Sequence, residues 1–212
     1  MVDIAADNDV VLKATSYRVA DELWPEPARI GVLATAKYVV VDRIARGRVR
    51  DQVAAAAAFG VFLKLTHELE PTDEEEVIAL NLEVAAQEAR LPLDAGESLL
   101  AAIAAVRDFA YLDTGDKRAI ASLDLLADRI VELQRLERRI RSLEQLVLRA
   151  IPDDAQCRRV ASRICAERAV DRALSICFAC FSAPPERDRI VEGLRSYIAD
   201  LRGTCPRLLA SD

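Results

Sequence analysis

Short apolar segments that end at an acid or a tight turn alternate along this chain with helix-forming stretches, and that alternation restricts the fold more than any other feature. Val2-Asp3-Ile4-Ala5-Ala6-Asp7 reads as a short buried strand closed by an acid. Asn8 or Asp9 then caps a helix to about Glu22, with Val11, Leu12, Thr15, Val19 and Leu23 at helical spacing. Trp24-Pro25-Glu26-Pro27 stops it. Ile30-Gly31-Val32-Leu33 predicts a second strand, followed by helices to about Arg46 and over Val49 to Leu65. Thr72 and Glu75 form a capping box for a helix that runs to about Arg90. Asp94-Ala95-Gly96-Glu97 opens another helix, through about Arg107. Phe109-Ala110-Tyr111-Leu112-Asp113 reads as a strand, and Asp116 begins the helix after it. Strands alternating with helices imply an α/β fold: a small parallel sheet flanked by helices in three layers.

The last third is more helical. Leu126, Ile130, Leu133, Leu136, Ile140, Leu143 and Val147 step by three and four, which predicts one long amphipathic helix ended by Pro152. Two further helical stretches, about 155–181 and 185–202, are separated by Pro184-Pro185. The chain therefore divides into an α/β unit over residues 1–150 and a helical C-terminal extension over 151–212.

Composition removes several chemistries. His67 is the only histidine, so a Cys2His2 finger, an HExxH site and a two-histidine facial triad are excluded within one chain. It is also the only histidine base for a serine or cysteine triad, with no nucleophile motif beside it, and it reads as an ordinary helix-end residue. Five cysteines, Cys157, Cys165, Cys177, Cys180 and Cys205, form an odd set without a secretory signal, which favours reduced thiols. Cys177 and Cys180 make a CxxC inside an apolar helical stretch, where core packing outweighs metal or redox chemistry. The first nine residues carry three aspartates instead of a basic leader, and the longest uncharged apolar run is the eleven residues Val53 to Leu63. That is about half of the ~20 needed to span a bilayer. The expected setting is soluble and cytoplasmic, with no membrane partner.

Carboxylates are the chemistry that remains. Asp7 and Asp9 follow the first strand, Glu97 starts a helix, and Asp113 and Asp116 flank the end of a later strand. In an open parallel sheet, ligands collect beyond the carboxyl ends of the strands, where such acids converge. Acids grouped without histidine suit hard cations, Mg²⁺ or Mn²⁺. Acids are also good helix caps, so each taken alone reads as structural.

Three segments resemble PIN-domain nucleases: Asp7-Asn8-Asp9-Val10-Val11-Leu12-Lys13, Glu97-Ser98-Leu99-Leu100-Ala101-Ala102, and Leu112-Asp113-Thr114-Gly115-Asp116-Lys117-Arg118-Ala119. They occur in the family's order and spacing over roughly residues 1–125. The resemblance implies that Asp7, Glu97 and Asp116 are catalytic metal ligands, with Asp9 assisting. Two departures stand out. The family's further acid has only Asp42 as an intuitive counterpart. Its last strand would have to come from Arg138-Arg139-Ile140-Arg141-Ser142-Leu143-Glu144, against the long-helix reading, and would carry Glu144 toward the same sheet edge.

The formal net charge of −6 argues at first against a nucleic-acid partner. It conceals a split: residues 1–116 hold 11 basic and 21 acidic residues, and residues 117–212 hold 18 and 14. The basic part opens with Lys117-Arg118, candidates for the scissile phosphate, and continues with Arg135, Arg138, Arg139 and Arg141. Those arginines read either as phosphate contacts or as a solvated helix face with pairs such as Glu137 with Arg141. With the carboxylates as metal ligands, the resemblance implies a divalent-metal-dependent ribonuclease acting on RNA rather than DNA. It also implies a toxin-antitoxin setting, with an antitoxin or a second copy as partner. The alternatives are a PIN-like scaffold without catalysis that binds a protein, and an all-helical adaptor.

Overall fold

The computed structural model describes residues 1–182 and 185–211. Five short strands, β1 (Ile4–Ala6), β2 (Ile30–Leu33), β3 (His67–Leu69), β4 (Tyr111–Thr114) and β5 (Ile140–Ser142), form one parallel sheet in the order β3-β2-β1-β4-β5. β1 (Ile-Ala-Ala) and β2 (Ile-Gly-Val-Leu) are continuous apolar runs because helices cover both faces. Ile4, Ala6, Ile30 and Val32 enter one core, and Ala5, Leu33, Leu69, Leu112 and Ile140 enter the other. That is the period-two alternation of a pleated strand.

The first core is covered by α1 (Asn8–Tyr17), α3 (Ala36–Arg46), α4 (Gln52–Leu65) and α8 (Leu143–Ala150), with the short α2 (Ala20–Leu23) beside them. The second is covered by α5 (Asp73–Ala89), α6 (Ala95–Val106) and α7 (Lys117–Leu126). The C-terminal region adds α9 (Asp154–Ala166), α10 (Arg172–Cys177) and α11 (Arg187–Thr204). Its Val160, Ile164, Leu174 and Phe178 join the first core, whereas Ile198, Leu201, Leu208 and Leu209 join the second. The last residues also seal the sheet edge. Ile140 N–H donates to Leu208 O at 2.9 Å, and Ala210 N–H donates to Ile140 O at 2.7 Å. Leu209 bridges Ile140 in parallel, so β5 presents no open ladder there.

The expected α/β three-layer architecture with a helical C-terminal region is present, and several local expectations are corrected. Residues 126–147 are not one helix. α7 ends at Leu126, a 3₁₀ turn covers Val131–Leu136, and β5 follows. Arg138 adopts φ 56°, which no helix interior allows. A 3₁₀ turn has period three, so Leu133 and Leu136 are buried without an α-helix. The strand alternative for this segment is the one realised. His67 opens β3 and is not a helix-end residue; β3 buries only Leu69, leaving no apolar run to reveal it. The helix expected to Glu22 stops at Tyr17, because Arg18 turns left-handed at φ 58°. The stretch 155–181 breaks between α9 and α10, and the break expected at Pro184 lies outside the described residues. The thiols are not all reduced: Cys165 and Cys180 form a disulfide, while Cys177 stays free and buried. Among the described residues, no helix is long and apolar enough to cross a membrane.

Candidate functional site

The chain leaves β1 to build β2 and β3 on one side, then returns to build β4 and β5 on the other. The two directions part between β1 and β4, and the crevice beyond their carboxyl ends is where such sheets bind ligands. Asp7 follows β1 and Asp116 follows β4. Both are extended residues that cap the next helix, as acids at strand-to-helix turns do. Thr114 ties them together. Its hydroxyl donates to Asp7 Oδ2 at 3.2 Å and accepts from Asp116 N–H at 3.1 Å. Glu97 enters from the first turn of α6, where Asp94 N–H donates to its Oε2 at 2.9 Å.

The acids differ in how their charge is balanced. Burial, and then the charge of Asp9, push the Asp7 carboxyl up to about 6. Burial, and then the charges of Asp94, Asp7 and Asp116, push Glu97 up to about 7. Neither makes an ion pair among the described residues. Partial burial also opposes the charge of Asp116, but Arg118 outweighs it and holds that carboxyl below its usual range. The Arg118 guanidinium lies 2.8 Å from Asp116 on the surface, 74% exposed, so the pair is easily opened.

Two lysines complete the surroundings. Lys13 Nζ lies 2.7 Å from Asp9 and 2.9 Å from Asp171, which comes from the C-terminal region. Lys117 Nζ lies 2.5 Å from buried Glu144 and 4.5 Å from the centre of the Tyr197 ring. Lys117 and Arg118, expected at a phosphate, are thus engaged with acids. Gly115 is fitted against the first pair: a Cβ there would lie 2.2 Å from Asp9 Oδ2 and 3.1 Å from Lys13 Nζ. Gly115→Ala is expected to destabilise by about 1–3 kcal/mol by forcing these groups apart, read as a lower urea midpoint. An unchanged midpoint would show that Asp9 yields freely.

Sequence reasoning missed Lys13, Asp171 and the true place of Arg141. The i,i+4 spacing of Asp9 and Lys13 was visible, whereas Asp171 depends on the tail folding back. Arg141 is neither a phosphate contact nor on a helix face. It lies opposite Asp113 on β5 and donates to both carboxylate oxygens, at 2.6 and 2.7 Å. Asp113 is fully buried, so it supports the site from below and does not line it. Asp42 sits on α3 in an exposed pair with Arg46.

Compared with family models, curated proteins and solved structures, the chain matches none. Among the described residues, no group of three or more His, Cys, Asp or Glu side chains is arranged to hold a metal ion. Asp7 and Glu97 nevertheless have the chemistry a hard cation prefers: carboxylate oxygens beside other acids and without a basic partner among the described residues.

Proposed function

We propose that the carboxyl edge of the sheet binds a divalent cation of the Mg²⁺ or Mn²⁺ class and hydrolyses phosphodiester bonds in RNA. The observation that carries this reading is the pair Asp7 and Glu97, two acids at the sheet's switch point without a basic partner among the described residues, raised to about 6 and about 7. A cation there would relieve their repulsion, and Asp116 would join them once its surface pair with Arg118 opens. Such an ion supplies an activated water and offsets charge on the phosphate. Arg118, freed by the same opening and 74% exposed against 34% for Lys117, would meet a phosphate. RNA as substrate and an antitoxin-type partner follow from the resemblance to PIN-domain nucleases.

A second reading has its own support. Lys13 between Asp9 and Asp171, and Lys117 on Glu144, place fixed ammonium charges where a catalytic site would leave acids for ions. That arrangement suits a scaffold that has replaced cation binding with internal pairs and binds a protein instead.

Calorimetry with Mn²⁺, run beside cleavage of a fluorescent RNA, separates the two. Glu97→Gln is expected to weaken Mn²⁺ binding at least about tenfold and to abolish cleavage, with an unchanged circular dichroism spectrum. Absence of Mn²⁺ binding by the unaltered protein at millimolar concentration would leave the scaffold reading.

A further inference from the structure

The disulfide joins Cys165, at the end of α9, to Cys180, just beyond α10. The loop it closes carries Asp171 near its middle. Asp171 caps α10 by accepting from Leu174 N–H at 2.9 Å, and the same carboxylate reaches Lys13 at 2.9 Å. Glu167, in the same loop, accepts from the N–H groups of Arg50 and Asp51 at 2.6 and 2.9 Å. One cross-linked segment from the C-terminal region is therefore seated on α1 and on the start of α4. Lys13 is only 12% exposed as a result of these contacts. Both bonded cysteines are half-buried, and they line a cavity of about 640 Å³ together with Cys157, Phe178 and Ile190. A small reductant can reach the bond through it.

We propose that Cys165–Cys180 is a redox latch on the candidate site: oxidised, it holds Asp171 on Lys13; reduced, it releases the loop and uncovers Lys13. A dithiol supplies two electrons and two protons. The S–S bond breaks, both cysteines become thiols, and the dithiol closes to its own disulfide. Disulfides in reducing compartments are mostly of this transient kind. The latch stands on its own contacts, whereas its effect on phosphate binding, through an uncovered Lys13, rests on the nuclease reading.

The chain has four lysines, Lys13, Lys37, Lys64 and Lys117, so limited acetylation read by mass spectrometry resolves each one. With exposed Lys37 as internal reference, dithiothreitol is expected to raise acetylation of Lys13 roughly tenfold, the scale of a local opening made easy. Asp171→Asn keeps the cap but removes the ion pair, and is expected to raise Lys13 labelling of the oxidised protein part of the way to the reduced level. The Cys165→Ser/Cys180→Ser variant is expected to give the reduced level without reductant. Unchanged Lys13 labelling when all five thiols titrate would overturn the latch. So would a disulfide that resists excess dithiothreitol in the folded protein, or an Asp171→Asn protein whose Lys13 stays protected. Labelling that switches while neither redox form binds Mn²⁺ or cleaves RNA would instead retain the latch and remove the nuclease reading.

Discussion

Replacing Arg141 with Met is expected to cost about 3–5 kcal/mol, because it strands a fully buried carboxylate. Asp113 is 0% exposed and receives two hydrogen bonds from Arg141 and a third, at 2.8 Å, from the indole N–H of Trp24. The guanidinium also stacks over the Tyr111 ring, 3.9 Å from its centre. Removing the arginine leaves Asp113 charged in an apolar layer with one neutral donor. A chain of this size shifts its melting temperature by about 2–4 °C per kcal/mol, so a fall of roughly 6–20 °C is expected. Trp24 is the only tryptophan, and its emission reports the same event directly. Asp113→Asn in the Arg141→Met background should recover part of the loss, since a neutral amide still accepts from Trp24 and carries no charge to strand. A single variant that loses less than about 1 kcal/mol would show that the pair contributes no more than a surface bridge.

That pair also shows where sequence reading stops. β1, β2 and β4 were legible because each is an apolar run closed by an acid or a turn, and the capping box of Thr72 and Glu75 marked its helix within a residue. Asp116 was legible for the same local reason, as an extended acid that starts a helix; Asp7 was legible only as the acid closing β1, because the cap expected at Asn8 or Asp9 lies at Asp7 itself. β3 and β5 are as short as β1, but each carries a single apolar residue, Leu69 or Ile140, so no apolar run marks them. The partnership of Arg141 with Asp113 exists only through the register of β4 against β5, and an i,i+4 helix pair with Glu137 was the local alternative. Asp171 and the Cys165–Cys180 bond are further removed, since both depend on how the tail returns to α1. Local rules reveal caps and strand ends; charge balance at a site is set by segments distant in sequence.

Asp7→Asn is expected to stabilise the protein at neutral pH, and to do so only there. The folded protein holds the Asp7 proton up to about pH 6 against a reference of 3.8, and that of Glu97 up to about 7 against 4.5. Between these limits the unfolded chain has released protons that the folded chain still binds, so stability falls as pH rises. The contribution of these two acids is most favourable below about pH 4 and is lost above about pH 7. Asp116 and Asp171 are shifted the other way, and their stabilisation disappears as pH falls below the ordinary carboxylate range. The melting temperature should therefore peak near pH 5 and decline toward pH 7.5. Asparagine keeps the helix cap and can still accept from Thr114, yet carries no charge to bury. The gain for the half-buried Asp7 reaches at most about 3 kcal/mol near pH 7.5 and vanishes near pH 4. Mn²⁺ should reproduce part of that gain in the unaltered protein, by about 2.7 kcal/mol at a hundred times its dissociation constant, and none of it in Asp7→Asn. A variant whose advantage is the same at both pH values would show that Asp7 carries no buried charge. A protein that Mn²⁺ fails to stabilise despite a pH-dependent gain would bear the strain of a cation site without the affinity for one, as expected of the scaffold.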